Sequence, residues 1–218
     1  MNVFKKNIQG ILFDMDGTVL DSEGLFDRAQ IQYLKENNIV ISKSDLYDFK
    51  GLSYKDFYPR FIKKFKLSES TNNIRFKVRT YLHKIMEEEL RYISGFEVFF
   101  KSYILNKGFK VGLVTNTTRA TYNKIQTILN IDDYFQFVIT ATESQRPKPS
   151  SAPYLEAMES LCLTPEETLI IEDSKAGLIS AVNSGAHVVG LKTSLNSSQI
   201  QCISKKIYAI NHFRELAL

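Results

Sequence analysis

The sequence is poor in cysteine: Cys162 and Cys202 are the only two in 218 residues, far apart and without a CxxC or Cys/His spacing. That excludes a disulfide framework and a thiolate zinc site, and it fits a reducing cytoplasm. Histidine is scarce as well, and His83, His187 and His212 are too scattered to be given a role. No run of five or more like charges occurs, and a net charge of +4 is that of a solvated surface with a slight excess of lysine. Nucleic acid binding is not expected. Long hydrophobic runs are missing too. The first apolar stretch is interrupted by Gln9 and ends at Asp14, too short and too charged for a signal peptide or a membrane span. Neither internal repeats nor low-complexity segments are present.

With 44% apolar and 24% charged residues, the chain has the balance of an ordinary soluble globular protein. Its length allows one full core and a smaller accessory domain. Residues 8–13 read as a short buried strand. From about 21 to 92 the apolar positions recur at helical spacing, as in Leu25, Ala29, Tyr33, then Phe57, Phe61, Phe65, then Leu82, Ile85, Met86. After Ser94-Gly95 the rhythm changes to alternation: helix 96–106, strand 110–115, helix 119–129, apolar run 135–139, helix 152–161, strand 168–171, helix 176–184, strand 187–191. Strands alternating with helices of this length predict an α/β fold, a Rossmann-like parallel sheet covered on both faces. The catalytic core is expected at 1–20 and 93–218, with an inserted all-helical cap at 21–92.

Open α/β sheets put their sites at the carboxyl ends of strands. Here those ends carry a coherent set: Asp14, Asp16 and Gly17 after the first strand, Thr115 and Asn116 after the second, Lys148 in a proline-rich loop, and Glu172-Asp173 after the strand at 168–171. Asp14 and Asp16 are two apart, so in extended chain both address the same side, and Gly17 lets the backbone turn. Asp14 attacking phosphorus would form an aspartyl phosphate, while Asp16 protonates the leaving oxygen and later deprotonates water. Three carboxylates, Asp14, Glu172 and Asp173, against Lys148 alone would repel a phosphate ester. A hard divalent cation resolves that, and Mg²⁺ suits oxygen ligands from Asp14, Asp173, Glu172 and the Asp16 backbone carbonyl. Thr115, the Asn116 N–H and Lys148 would hold the phosphoryl oxygens.

These residues resemble the haloacid dehalogenase superfamily, in its β-phosphoglucomutase-like branch with a helical cap. The resemblance spans nearly the whole chain: DMDGT at 14–18, Thr115, Lys148 in RPKPSSAPY, and Glu172-Asp173 in IEDSKAGLISAVNSGA. It implies a Rossmann-like sheet with a helical lid, and it implies the same roles for the same residues. Dehalogenases and phosphonatases of the superfamily lack the second Asp, so Asp16 points to phosphate esters. The segment Lys50-Gly51-Leu52-Ser53 looks like the family's substrate-specificity loop, which makes Lys50 a candidate for substrate contact. Mutases of this branch carry a His and an Arg where this sequence has Phe26 and Tyr54, and the missing Arg removes a clamp for a second phosphate. Lys77, Arg79, Glu23, Asp27 and Arg28 are weaker candidates around the cleft. The expected function is a Mg²⁺-dependent phosphatase for a small phosphorylated metabolite, a sugar phosphate in particular. A phosphomutase and a noncatalytic scaffold are the alternatives, and a swinging lid is compatible with a monomer.

Overall fold

Each apolar run in the second half of the chain becomes a strand because its residues are buried on alternate faces. The computed structural model describes residues 7–49, 52 and 54–216, with all side chains but those of Glu23, Tyr54 and Lys55. Six parallel strands form one sheet in the order β3-β2-β1-β4-β5-β6. They are β1 (Gly10–Phe13), β2 (Lys110–Val114), β3 (Phe137–Ile139), β4 (Thr168–Glu172), β5 (His187–Leu191) and β6 (Tyr208–Ile210). Ile11 and Phe13 of β1 join Val111, Leu113, Leu169 and Ile171 on one face. Leu12 joins Val114, Ile170 and Val188 on the other. Such two-sided burial is why these strands read as continuous apolar runs rather than as alternating ones.

Between β1 and β2 the chain is helical, as the periodicity implied: α1 (Glu23–Glu36), a 3₁₀ turn (Lys43–Phe49), α2 (Tyr54–Phe65) and α3 (Thr71–Glu89). In α3 the buried residues Ile74, Val78, Leu82 and Met86 are four apart, a single stripe facing α1 and α2. Phe61 fills the centre of this insertion, stacked on Phe57, edge-on to Phe49 and tilted against Tyr33. Its two connections to the sheet are tied together: Asp21 N–H donates to the Arg91 carbonyl at 3.0 Å and Ile93 N–H to that of Val19 at 2.8 Å.

The helices that follow are α4 (Phe96–Phe99), continued by a π-turn over Phe100–Ile104, then α5 (Arg119–Leu129), α6 (Ala152–Ser160), α7 (Lys175–Asn183) and α8 (Ser197–Ile203). The expected elements 110–115, 119–129, 168–171 and 187–191 agree with these to within a residue. β6 and α8 were not anticipated. β6 is only three residues long and lies at the sheet edge, where Ile210 alone is fully buried, so it carries no run to read. No helix among the described residues is long and apolar enough to cross a membrane.

Candidate active site

Parallel pairing brings the carboxyl ends of β1, β2 and β4 side by side. Asp14 N–H donates to the Ile171 carbonyl at 2.9 Å, so the chain is still in register when it leaves β1. Gly17 then turns it at φ +87°, and a Cβ there would lie 2.3 Å from Asp173 Oδ2. Only glycine meets both demands, the left-handed backbone and the close approach of the carboxylate.

Asp14, Glu172 and Asp173 offer oxygens within 4.8 Å of one another, and all three are buried. Lys148 reaches this cluster from its loop and is 2% exposed. Its Nζ donates to Asp14 Oδ1 at 2.6 Å, Glu172 Oε1 at 2.8 Å and the Val114 carbonyl at 2.8 Å, and it sits 4.8 Å above the Tyr154 ring. Burial opposes the charge of Lys148, but Asp14 and then Glu172 more than offset it and hold the ammonium well above its ordinary range. Asp14 moves the other way for a carboxylate: burial first, then Glu172, push its carboxyl well up, and Lys148 offsets this only in part. The cluster is short of positive charge, which is the condition a divalent cation would relieve.

The three acids differ in what they already hold. Both Glu172 oxygens are engaged: Oε1 by Lys148 and by Tyr154 Oη at 3.3 Å, Oε2 by Asp173 N–H at 2.7 Å, Ser174 N–H at 2.8 Å and Ser174 Oγ at 3.1 Å. These main-chain donors precede α7, where the helix dipole also favours an anion. Glu172 thus anchors Lys148 to the start of α7. Asp173 accepts from hydroxyls: Thr18 Oγ1 at 3.2 Å, Thr193 Oγ1 at 3.0 Å and Ser194 Oγ.

Asp16 turns its side chain out of the cluster and into a ring of hydroxyls. Ser22 Oγ donates to Oδ1 at 2.6 Å, Thr117 Oγ1 to Oδ2 at 2.7 Å and Thr115 Oγ1 to Oδ2 at 3.4 Å. Any contribution of Asp16 to an ion beside Asp14 therefore falls to its backbone carbonyl. Ser22 precedes α1 as its N-cap, yet it makes no side-chain cap. The Asn116 side chain grips the Lys148 loop from both sides, accepting from Lys148 N–H at 3.0 Å and donating to its carbonyl at 3.1 Å.

Above these residues lies a cavity of ≈ 210 Å³, walled on the sheet side by Asp14, Asp16, Thr115, Asn116 and Lys148. The insertion supplies the opposite wall, including Phe26, Asp27, Gln30, Leu52, Tyr58, Arg75 and Arg79. Of the segment 50–53 only Leu52 lies within the described residues, so Lys50, like the side chains of Glu23 and Tyr54, is outside them. Arg28 pairs with Glu89, and Lys77 with Glu69 at 2.8 Å, so these two are bound within the insertion. Sequence reasoning missed Ser22, Thr117, Tyr154, Thr193 and Ser194. A signal existed for the last two, which follow the carboxyl end of β5 just as the recognised residues follow β1, β2 and β4. Ser22 carried none, because it looks like an ordinary helix cap.

Fold and site together define a phosphatase: a parallel sheet whose carboxyl edge gathers three buried carboxylates and a buried lysine beneath a helical insertion. The chain belongs to the haloacid dehalogenase-like hydrolases, whose family profile matches residues 11–191. It is 23% identical over 193 residues to a phosphorylated carbohydrates phosphatase of Thermotoga maritima, covering 88% of this chain and 89% of that one. Similarity to a phosphoglycolate phosphatase of Aquifex aeolicus reaches 28% over 197 residues, covering 80% of each. The fold superposes on the crystal structure of CbbY from Rhodobacter sphaeroides with a TM-score of 0.82 at 20% identity, covering 96% of both chains.

Proposed function

We propose that this protein hydrolyses small phosphomonoesters, sugar phosphates in particular, through a phosphoaspartyl intermediate on Asp14. The observation that carries the reading is Lys148 Nζ, fully buried between Asp14 and Glu172 on the floor of a cavity that also opens to Asp16 and Thr115. An Asp14 oxygen attacks phosphorus as the ester P–O bond breaks, and Asp16 delivers its proton to the departing alkoxide. Asp16 then takes a proton from water, whose oxygen attacks the phosphoaspartate, releasing inorganic phosphate and restoring the Asp14 carboxylate. Thr115, Asn116 and Lys148 are the groups suited to hold the phosphoryl oxygens.

Mg²⁺ fits the donor set, which is all oxygen, acidic and buried, with Asp14 and Asp173 as carboxylate ligands and Glu172 behind them. When bound, it would neutralise the carboxylates and the incoming phosphate. Residues 21–92 are proposed as a lid on a core of 1–20 and 93–218, with the two hydrogen-bonded connections at 19–21 and 91–93 as the hinge. Phe26 on the cavity wall favours hydrolysis over a mutase, since it offers no proton-handling group there. The test is a panel of sugar phosphates assayed for phosphate release with Mg²⁺ and with chelator. Release that needs the metal and disappears in Asp14→Asn supports the reading. Activity that survives Asp14→Asn, or a panel with no turnover, overturns it.

A further inference from the structure

The wall opposite Asp14 holds two polar groups that the mechanism does not use. Gln30 on α1 is 8% exposed, lines the cavity, and has no donor for its Oε1 among the described residues. A buried amide oxygen without a partner is uncommon in native proteins and calls for an occupant. Arg79 on α3 lines the same cavity, is half-buried, and makes no ion pair or hydrogen bond among the described residues. Its neighbours differ in this respect. Lys77 is paired with Glu69, and Arg75, one turn earlier, lies against the Tyr58 ring at 5.8 Å. Among the described residues of this wall, two arginines, Arg75 and Arg79, stand against one aspartate, Asp27. The rest of it is apolar, with Phe26, Phe49 and Leu82 among its residues, so a charge placed there is poorly served by water.

An acceptor without a donor, on the same wall as an excess of cationic charge, describes a ligand by its complement. We propose that Gln30 and Arg79 read the end of the substrate that is not transferred, and that this end carries an anionic group next to a hydroxyl. A phosphorylated sugar acid has that chemistry: Arg79 would hold the anion, Gln30 Oε1 would accept from the hydroxyl, and Asp14 would face the phosphoryl group. The proposal rests on the phosphatase reading for its geometry and narrows the substrate class.

The experiment compares two esters that differ at one carbon, 3-phosphoglycerate and glycerol 3-phosphate. The anionic-ended ester is expected to have a kcat/KM higher by about tenfold or more. Arg79→Met brings the ratio towards one, mainly through KM, and Arg79→Lys retains part of it. Gln30→Met lowers the preference for 3-phosphoglycerate over 3-phosphopropionate, which lacks the hydroxyl. Propane-1,3-diol bisphosphate shows whether a phosphate replaces the carboxylate as the anion. A wild-type ratio of one or less overturns the proposal. So does an Arg79→Met variant that loses the same factor on both esters, the outcome expected if Arg79 only supports the lid. Binding of the two esters to Asp14→Asn protein gives the ratio without turnover. Preferential binding with no hydrolysis in the wild type would sink the phosphatase reading alone, and equal binding would sink this one.

Discussion

Gly177, three residues into the chain of α7, separates two physical effects of opposite sign. On helix propensity alone, Gly177→Ala should stabilise the protein by about 1 kcal/mol. But a Cβ at this position would lie 1.5 Å from Glu172 Oε1, and Glu172 is fully buried and held by donors on both oxygens. The carboxylate must move, and with it go the bonds from Lys148 and Tyr154. Losing two hydrogen bonds to a charged group costs about 1.5–3 kcal/mol each. The clash wins by roughly 2–5 kcal/mol, which for a chain of this size lowers Tm by roughly 5–20 °C. Lys148 loses its anchor at the same time, so kcat should fall about 100-fold, the scale seen when one stabilising donor is removed. Thermal melts and phosphate release with Mg²⁺ measure both. The cycle with Glu172→Ala isolates the cause: in that background Gly177→Ala should become neutral or stabilising by about 1 kcal/mol. An unchanged or raised Tm with kcat within twofold of wild type would refute the view that Gly177 exists to seat Glu172.

Ser22→Ala and Thr117→Val each remove a donor from Asp16. Each should reduce kcat about tenfold on alkyl phosphates and less on p-nitrophenyl phosphate, whose leaving group needs no proton; equal losses on both would argue against Asp16 as the acid. For Glu143, burial pushes the carboxyl up, but hydrogen bonds from Arg119 and Thr140 outweigh it and bring it down to about 2. A depressed carboxylate contributes stability that is complete above its ordinary value near 4.5 and disappears as pH falls. The Tm gap between wild type and Glu143→Gln should therefore be full at neutral pH and close between 4.5 and about 2. Phe61→Ala empties a fully buried position among Phe49, Phe57 and Tyr33 and should cost about 3–5 kcal/mol, read by denaturant unfolding.

The legible parts of this protein were those where one physical demand dominates the sequence. β1, β2, β4 and β5 had to be apolar on both faces, and α3 had to repeat a buried residue every fourth position, so both left clear periods. Asp14, Lys148, Glu172 and Asp173 were legible as a set, because acids directly after two apolar runs together with a lysine in a proline-rich loop have no bland explanation when they occur jointly. β6 left no period because three edge residues do not make one. The hydroxyls of Ser22 and Thr117 beside Asp16 were invisible because serine and threonine near a helix start are usually caps. Arg79 and Lys77 could not be told apart in sequence, since only the fold reveals that Glu69 pairs with one and not with the other.

That same fold explains why adjacent acids, Glu172 and Asp173, can do different work. Successive residues leaving a strand point to opposite sides. Glu172 is sent back towards Lys148, Tyr154 and the start of α7, where its oxygens are saturated by five donors. Asp173 is sent forward beneath Gly17, where Thr18, Thr193 and Ser194 hold it beside Asp14. The first acid makes a buried lysine tolerable, and the lysine in turn steadies Asp14 by a 2.6 Å contact. The second adds negative charge that the lysine does not balance, an imbalance that a cation beside Asp14 and Asp173 would relieve. A site with Glu172 alone would be a closed ion pair, and one with Asp173 alone would leave Asp14 unanchored; the order Glu-Asp at the end of β4 supplies both conditions.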